Sequence, residues 1–111
     1  MDAYIALDLE TTGLSPKSDR ILEIGAARVL NGAVEARYST LINPRMEIPA
    51  KITELTGITQ EMVEEMPEIK EAVPELLAFC GDLPLLGHNI MFDYSFVKHS
   101  AVNCGFAFEK E

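Results

Sequence analysis

Nowhere in this sequence does an apolar stretch reach the roughly 18 residues that a membrane-spanning helix needs, so no segment is read as crossing a membrane. The start, Met1-Asp2-Ala3-Tyr4, has neither the basic nor the apolar segment of a secretory signal, and the chain is read as cytosolic (cytoplasmic). Cysteine is scarce. Cys80 and Cys104 form no C-x-x-C pair and no metal-ligand spacing, and each falls on the apolar stripe of an expected helix, as reduced and buried thiols would. Basic residues are scarce too. Nine Lys and Arg against eighteen Asp and Glu leave a formal net charge of −9. That argues against tight binding of a nucleic-acid duplex, whose affinity comes largely from cationic side chains neutralising phosphates. The sequence also lacks internal repeats, low-complexity tracts and Gly/Ser linkers. With 48% hydrophobic residues it is not a disordered chain, and 111 residues suit one small domain, 1–111, with a modest core.

What is present starts with two acids. Asp8 and Glu10 close the short apolar run Tyr4-Ile5-Ala6-Leu7 in the segment Asp8-Leu9-Glu10-Thr11-Thr12-Gly13-Leu14. Side chains at i and i+2 of a strand share a face, so both carboxylates project together. Like charges held close in a partly buried place repel, and each also loses solvation. A cation in the gap relieves both penalties. A bare D-x-E is more often a solvated strand end. Here Thr-Thr-Gly-Leu follows at once, and a second acidic element comes later at Gly87-His88-Asn89-Ile90-Met91-Phe92-Asp93. The two motifs in order favour the functional reading.

The elements can be placed around these motifs. Ala3–Leu9 reads as a first strand, central because its apolar character is continuous. Ile21–Leu30 and Ala33–Ile42 follow as second and third strands, joined by Asn31-Gly32, a type I′ hairpin signal. Pro49 suits a first helical position, Lys51–Thr56 a short helix and Gly57 its end. Thr59 caps another short helix that stops before Pro67. From Glu68 to Cys80 the residues Ile69, Ala72, Val73, Leu76, Leu77 and Cys80 repeat at the period of one buried helical face, and Pro74 calls for a kink or a later start. Leu83–Gly87 is a fourth strand that can run parallel to the first after this helical crossover. Asn89 caps a last helix, Ile90–Asn103, with Ile90, Tyr94, Val97, Ala101 and Cys104 as its buried stripe. Asp93 shares a face with Val97 in the first turn. Adjacent, parallel first and fourth strands would therefore gather Asp8, Glu10 and Asp93 into one three-carboxylate cluster.

At these residues the chain resembles a known family. Asp8 to Leu14 looks like the first motif of the DEDD superfamily of 3′–5′ exonucleases. Gly87-His88-Asn89 with Phe92-Asp93 looks like the second, and Glu54-Leu55-Thr56-Gly57-Ile58-Thr59 resembles the segment that precedes the first long helix. The similarity is greatest to the bacterial DNA polymerase III proofreading exonucleases and covers essentially the whole chain. It implies an α/β, ribonuclease-H-like fold with a mixed five-stranded sheet and flanking helices. It also implies two divalent metal ions, Mg²⁺ or Mn²⁺, and hydrolysis that releases nucleoside monophosphates from a 3′ end. Carried over by position, Asp8 would bridge both ions, Glu10 would hold the one that activates water, and Asp93 would hold or orient the other. Leu14 would wedge against the terminal base, with Thr11, Thr12 and Gly13 bringing backbone close to the terminal nucleotide. Thr56, Asn89 and Phe92 are weaker substrate contacts and could equally be cap or core residues. The negative charge is compatible with this chemistry, because bound ions supply the positive charge that side chains lack.

The resemblance also implies a third motif, a His or Tyr shortly before a final Asp, which these 111 residues do not contain. His99 lies about 240° round the helix from Asp93 and faces elsewhere. His88 is nearer, with hydrogen bonding in the core as its default role. The chain is therefore read as the N-terminal part of an exonuclease domain, its C-terminal portion missing, weakly active, and holding one ion. Its expected partners are a single-stranded DNA 3′ end (or RNA), a DNA polymerase, and a second copy of itself. Two other readings stay open: a non-catalytic, polymerase-associated binding module of the same fold, and a cation-binding domain with no nucleic-acid role.

Overall fold

The computed structural model describes residues 2–106. Four strands form one mixed sheet: β1 (Ala3–Thr11), β2 (Ile21–Leu30), β3 (Ala33–Leu41) and β4 (Leu85–Leu86), in the order β3-β2-β1-β4. The first three make an antiparallel meander, and β4 joins β1 in parallel through Ile5↔Leu85 and Ala6↔Leu86. Four helices complete the chain: α1 (Ala50–Thr56), α2 (Gln60–Val63), α3 (Ile69–Cys80) and α4 (Ile90–Asn103). Among the described residues the sheet has four strands, one fewer than the resemblance implies, and no helix is long and apolar enough to cross a membrane.

The local chemistry explains these boundaries. Asn31 and Gly32 take φ of 51° and 83°, the positive pair that a type I′ turn requires. Pro49 sits one position before α1, and Gly57, at φ 80°, closes that helix by donating to the Thr53 carbonyl. Thr59 caps α2 by accepting from the Met62 amide. Glu68 and Glu71 form a capping box at the start of α3, and this fixes Ile69 as its first residue. The helix runs on through Pro74, which lies on its exposed side, so the later start that Pro74 allowed is not taken. β4 is shorter than Leu83–Gly87, because the Leu83 amide is used to close the turn after α3, on the Cys80 carbonyl.

β1 is central, yet its two faces differ. Ile5, Leu7 and Leu9 are buried, while Tyr4, Ala6, Asp8 and Glu10 occupy the other side. The buried side meets Ile24 and Ala26 of β2, Val73 and Leu76 of α3, and Phe96, Val97 and Ala101 of α4 in the main core. Phe96, absent from the expected stripe, is 1% exposed and stacks with Phe92 at 4.9 Å. Ile90, Tyr94 and Cys104 are only half-buried. Cys104 therefore corrects the expectation of two buried thiols; Cys80 meets it, and the two are not joined in a disulfide. Two bulges shape the meander. One skips Leu22, which joins Ile48, Ile58 and Val63 in a second, smaller cluster under α1 and α2. The other skips Glu35, whose carboxylate pairs with Arg28 at 2.9 Å. Arg28 also donates to the Phe79 carbonyl at 2.9 Å and lies 4.5 Å over the Phe79 ring, tying β2 to the end of α3.

Burial predicts where the fold is fragile. Phe96→Ala should cost roughly 3–5 kcal/mol, a large part of the stability of a small domain. Leu14→Ala, on a residue 84% exposed, should change stability by less than about 0.5 kcal/mol. Urea denaturation of both variants checks this, and equal losses would contradict the assignment of the core.

Candidate active site

Asp8 and Glu10 stand at the C-terminal end of β1 on the side away from the main core. Asp93 comes from the first turn of α4, which begins just past β4. The parallel β1–β4 pair sets these two segments side by side, and Gly87 makes the close approach possible. A methyl group on Gly87 would fall 2.7 Å from the Leu7 carbonyl oxygen and 3.5 Å from Asp93 Oδ2. Any side chain there would have to push β4 or Asp93 away from β1.

The three acids feel one another. Asp93 is 5% exposed, and its pKa is pushed up to about 6, first by burial, then by the charges of Asp8 and Glu10. Glu10 is half-buried, and burial, Asp8 and Glu23 raise its pKa in that order. Asp8 is exposed, which corrects its expected partial burial. Among the described residues no ion pair or hydrogen-bond donor reaches any of the three carboxylates. Nor do three His, Cys, Asp or Glu side chains there converge closely enough to grip one ion. The acids share one end of the sheet without closing on a point, an arrangement consistent with uncompensated like charges. As a donor set, hard carboxylate oxygens with no competing protein cation fit Mg²⁺ or Mn²⁺.

Glu23 belongs to this group and was not singled out in the sequence. It pairs directly with Glu10 across the β1–β2 ladder. This is the last pair of the regular β1–β2 register before the Leu22 bulge, and that register has no local sequence signal. Asp19 was also missed, though an Asp in a Ser/Pro/Lys loop is a recognisable turn residue.

The remaining candidates divide. Thr12 is buried at 3% exposure, with its hydroxyl used inside the loop, so its side chain is structural. Thr11 and Gly13 are half-buried, and Leu14 projects into solvent. Thr56 locks the end of α1, donating to the Ile52 carbonyl and accepting from the Ile58 amide. Phe92 packs against the core. Asn89 caps α4 through its backbone carbonyl; its exposed side chain makes no capping bond, contrary to expectation. His88 is exposed, not hydrogen-bonded in the core. It lines a cleft of about 560 Å³ on the open sheet face, together with Asp8, Gly25, Arg37 and Leu86. His99 bonds Asn103 and lines a separate cleft of about 290 Å³ with Arg20, Arg45 and Glu68, away from the carboxylates, as its helical position required.

Comparison with known proteins decides the family. The model of the RNase_T family, described as an exonuclease, matches residues 5–110. The chain belongs to the RNase_T exonuclease family. The DNA polymerase III PolC-type protein of Clostridium perfringens is 44% identical over 104 residues, covering 94% of this chain and 7% of that protein. The 3'-5' exonuclease DinG of Bacillus subtilis is 39% identical over 104 residues, covering 93% of this chain and 11% of that protein. Exonuclease X in complex with 5' overhanging duplex DNA has a TM-score of 0.72 at 28% identity, covering 84% of this chain and 52% of that one. E. coli exonuclease I in complex with a dT13 oligonucleotide has a TM-score of 0.84 at 17% identity, covering 96% and 25%, a likeness of fold. The chain thus spans 7% and 11% of the length of these two curated relatives. The DEDD resemblance and the ribonuclease-H-like fold hold for this exonuclease domain.

The carboxylate coupling sets a pH dependence. The folded-state pKa of Asp93 lies above its ordinary value of 3.8, so between about pH 4 and 6 the folded domain binds more protons than the unfolded chain. Stability without divalent ions should therefore fall as pH rises through that window. Asp93→Asn should flatten the profile and stabilise the domain at pH 7 by roughly 1–3 kcal/mol. Thermal melts in EDTA from pH 4.5 to 7.5 test this; a less stable variant with an unchanged slope would contradict the coupling.

Proposed function

We propose that this chain is the motif-bearing half of a metal-dependent 3′–5′ exonuclease of the DNA-proofreading type, acting beside a DNA polymerase in the cytoplasm. The observation that carries this reading is the electrostatic coupling of Asp93 to Asp8 and Glu10 across the β1–β4 pair. The PolC-type DNA polymerase III relatives support the polymerase partner, and exonuclease I with its dT13 oligonucleotide supports a single-stranded substrate.

In the complete enzyme two divalent ions, with Asp8, Glu10 and Asp93 among their ligands, would lower the pKa of bound water and offset charge developing on the scissile phosphate. The protein's own work is positional. Asp8, on β1 and open to solvent, can be shared between Glu10 on its own strand and Asp93 on α4. Burial around Asp93 and Glu10 strengthens the attraction of these carboxylates for a cation over water. Beyond them, Leu14 offers an apolar surface to a terminal base, and the Asn89 side chain is free to reach the strand. A general base typically contributes about 10²–10⁴-fold. Among the described residues neither His99, in its separate cleft, nor His88, outside the hydrogen-bonded core, has the carboxylate partner that would orient it as that base. These 111 residues acting alone should therefore hydrolyse DNA weakly and hold one ion.

Mn²⁺ calorimetry and digestion of a 5′-labelled single strand test both halves of the reading. The wild type should bind one Mn²⁺ at millimolar concentration and Asp8→Ala should not, while the label shortens only slowly. Equal Mn²⁺ binding by both proteins would remove the metal site from the reading. Fast stepwise digestion abolished by Glu10→Ala would show that the chain is sufficient by itself. No digestion with intact Mn²⁺ binding would favour the binding-module alternative.

Self-association is part of the same proposal. β4 is the outer strand of the sheet among the described residues, and Leu86 is 46% exposed beside the open cleft. Exposed edges recruit other strands, while a net charge of −9 opposes open-ended aggregation and favours a closed assembly. Light scattering coupled to size exclusion should give a dimer; a monomer that melts cooperatively would contradict it.

A further inference from the structure

The segment that leaves β1 after Glu10 and Thr11 is closed at its base by two bonds. The Thr12 amide donates to the Arg20 carbonyl at 2.8 Å, and the Arg20 amide donates to the Thr12 hydroxyl at 2.9 Å. Inside this closed loop lies the Asp19 carboxylate. Its Oδ1 accepts from the Thr12 hydroxyl at 3.2 Å, and its Oδ2 accepts from the Ser15 amide at 3.0 Å. The Asp19 amide returns a bond to the Ser15 carbonyl at 2.7 Å. Gly13 fits against the same carboxylate so closely that a methyl group would fall 2.4 Å from Oδ2, below any tolerable contact. The Thr11 hydroxyl donates to the Gly13 carbonyl at 2.6 Å. The product is a turn, Thr12 to Ser15, gripped from within, carrying at its tip a Leu14 that is 84% exposed.

An exposed leucine on a firmly held turn, directly after a catalytic strand, gains nothing for the core. We propose that Asp19 is a positioning residue of the site: its carboxylate fixes the Thr12–Ser15 turn so that Leu14 and the Gly13 backbone face the terminal nucleotide beside Asp8 and Glu10. This rests on the exonuclease reading above. In this role Asp19 acts through the turn, by its bonds to Thr12 and Ser15. Gly13 is the other half of the device, since only a residue without a side chain leaves room for the carboxylate. The two positions should therefore be coupled. Gly13→Ala alone displaces Asp19, whereas Gly13→Ala in an Asp19→Ala background has nothing left to displace.

The test uses the full 111-residue chain, with fluorescence anisotropy of a labelled single-stranded oligonucleotide in Mn²⁺, Mn²⁺ calorimetry, thermal melting and amide exchange. Asp19→Ala should weaken oligonucleotide binding by about tenfold, the size of a lost charge-assisted hydrogen bond, and Asp19→Asn by less, since it keeps one acceptor. Mn²⁺ affinity should stay within about twofold, because the three carboxylates do not depend on the loop, and exchange of the Ser15 amide should speed up. Gly13→Ala should resemble Asp19→Ala, and the double variant should be no worse than either. Unchanged oligonucleotide binding by Asp19→Ala would overturn the proposal, as would a parallel loss of Mn²⁺ affinity and melting temperature, which marks a merely structural residue. If the wild type binds no oligonucleotide, the exonuclease reading fails instead. Ser15 exchange then decides the clamp, acceleration in Asp19→Ala supporting it and no change overturning it.

Discussion

The site is assembled by a pairing of two residues with two others. Ile5 and Ala6 lie beside Leu85 and Leu86, in parallel, and this short ladder places the first turn of α4 against the C-terminal end of β1. Parallel strands need a long crossover, and here α1, α2 and α3 provide it. The ladder can be short because it is backed on its buried side by Ile5, Leu85, Phe96 and Val97, which contribute far more than two backbone contacts could. It can be close because Gly87 presents no side chain to the Leu7 carbonyl. Without this pairing Asp93 would be a surface acid on a helix, and Asp8 with Glu10 a solvated strand end.

What the pairing creates is electrostatically unfavourable. Three carboxylates share one end of the sheet, none of them ion-paired among the described residues, and Glu23 adds a fourth charge next to Glu10. A domain selected only for stability would place a Lys here or replace an acid by an amide. The Arg28–Glu35–Phe79 contact shows what this chain builds where cohesion alone is served: a guanidinium with a carboxylate, a carbonyl and a ring face all satisfied. The contrast between the two places separates the part of the surface that holds the fold from the part that does chemistry.

Much of this was legible in the sequence, for identifiable reasons. The hairpin at Asn31-Gly32, the α3 stripe and the parallel return of β4 all carry strong local signals, and the shared face of Asp8 and Glu10 follows from strand geometry alone. The misreadings have physical causes. Phe96 was missed because Phe92, Asp93, Phe96 and Val97 pack along a wider face of α4 than one narrow stripe allows. Cys104 lies at the end of that helix, as its C-cap, and is only half-buried there. Leu22 drops out of the ladder at a bulge, and Glu23 is known to face Glu10 only from the pairing of β1 with β2, which has no marker in the residues themselves. Asn89 was expected to cap with its side chain; at ψ 69° the backbone carbonyl does so instead.

The β1–β4 contact also has a temporal meaning. β1, β2 and β3 are neighbours in sequence and can form as a meander with short loops, whereas β4 must close a loop that contains three helices before it meets β1. Closing a long loop is entropically unfavourable, and its contacts tend to form late and open early. The carboxylates therefore belong to the part of the fold whose contacts are most distant along the chain. A nascent or partly unfolded chain carries both acidic motifs in full and still has no site.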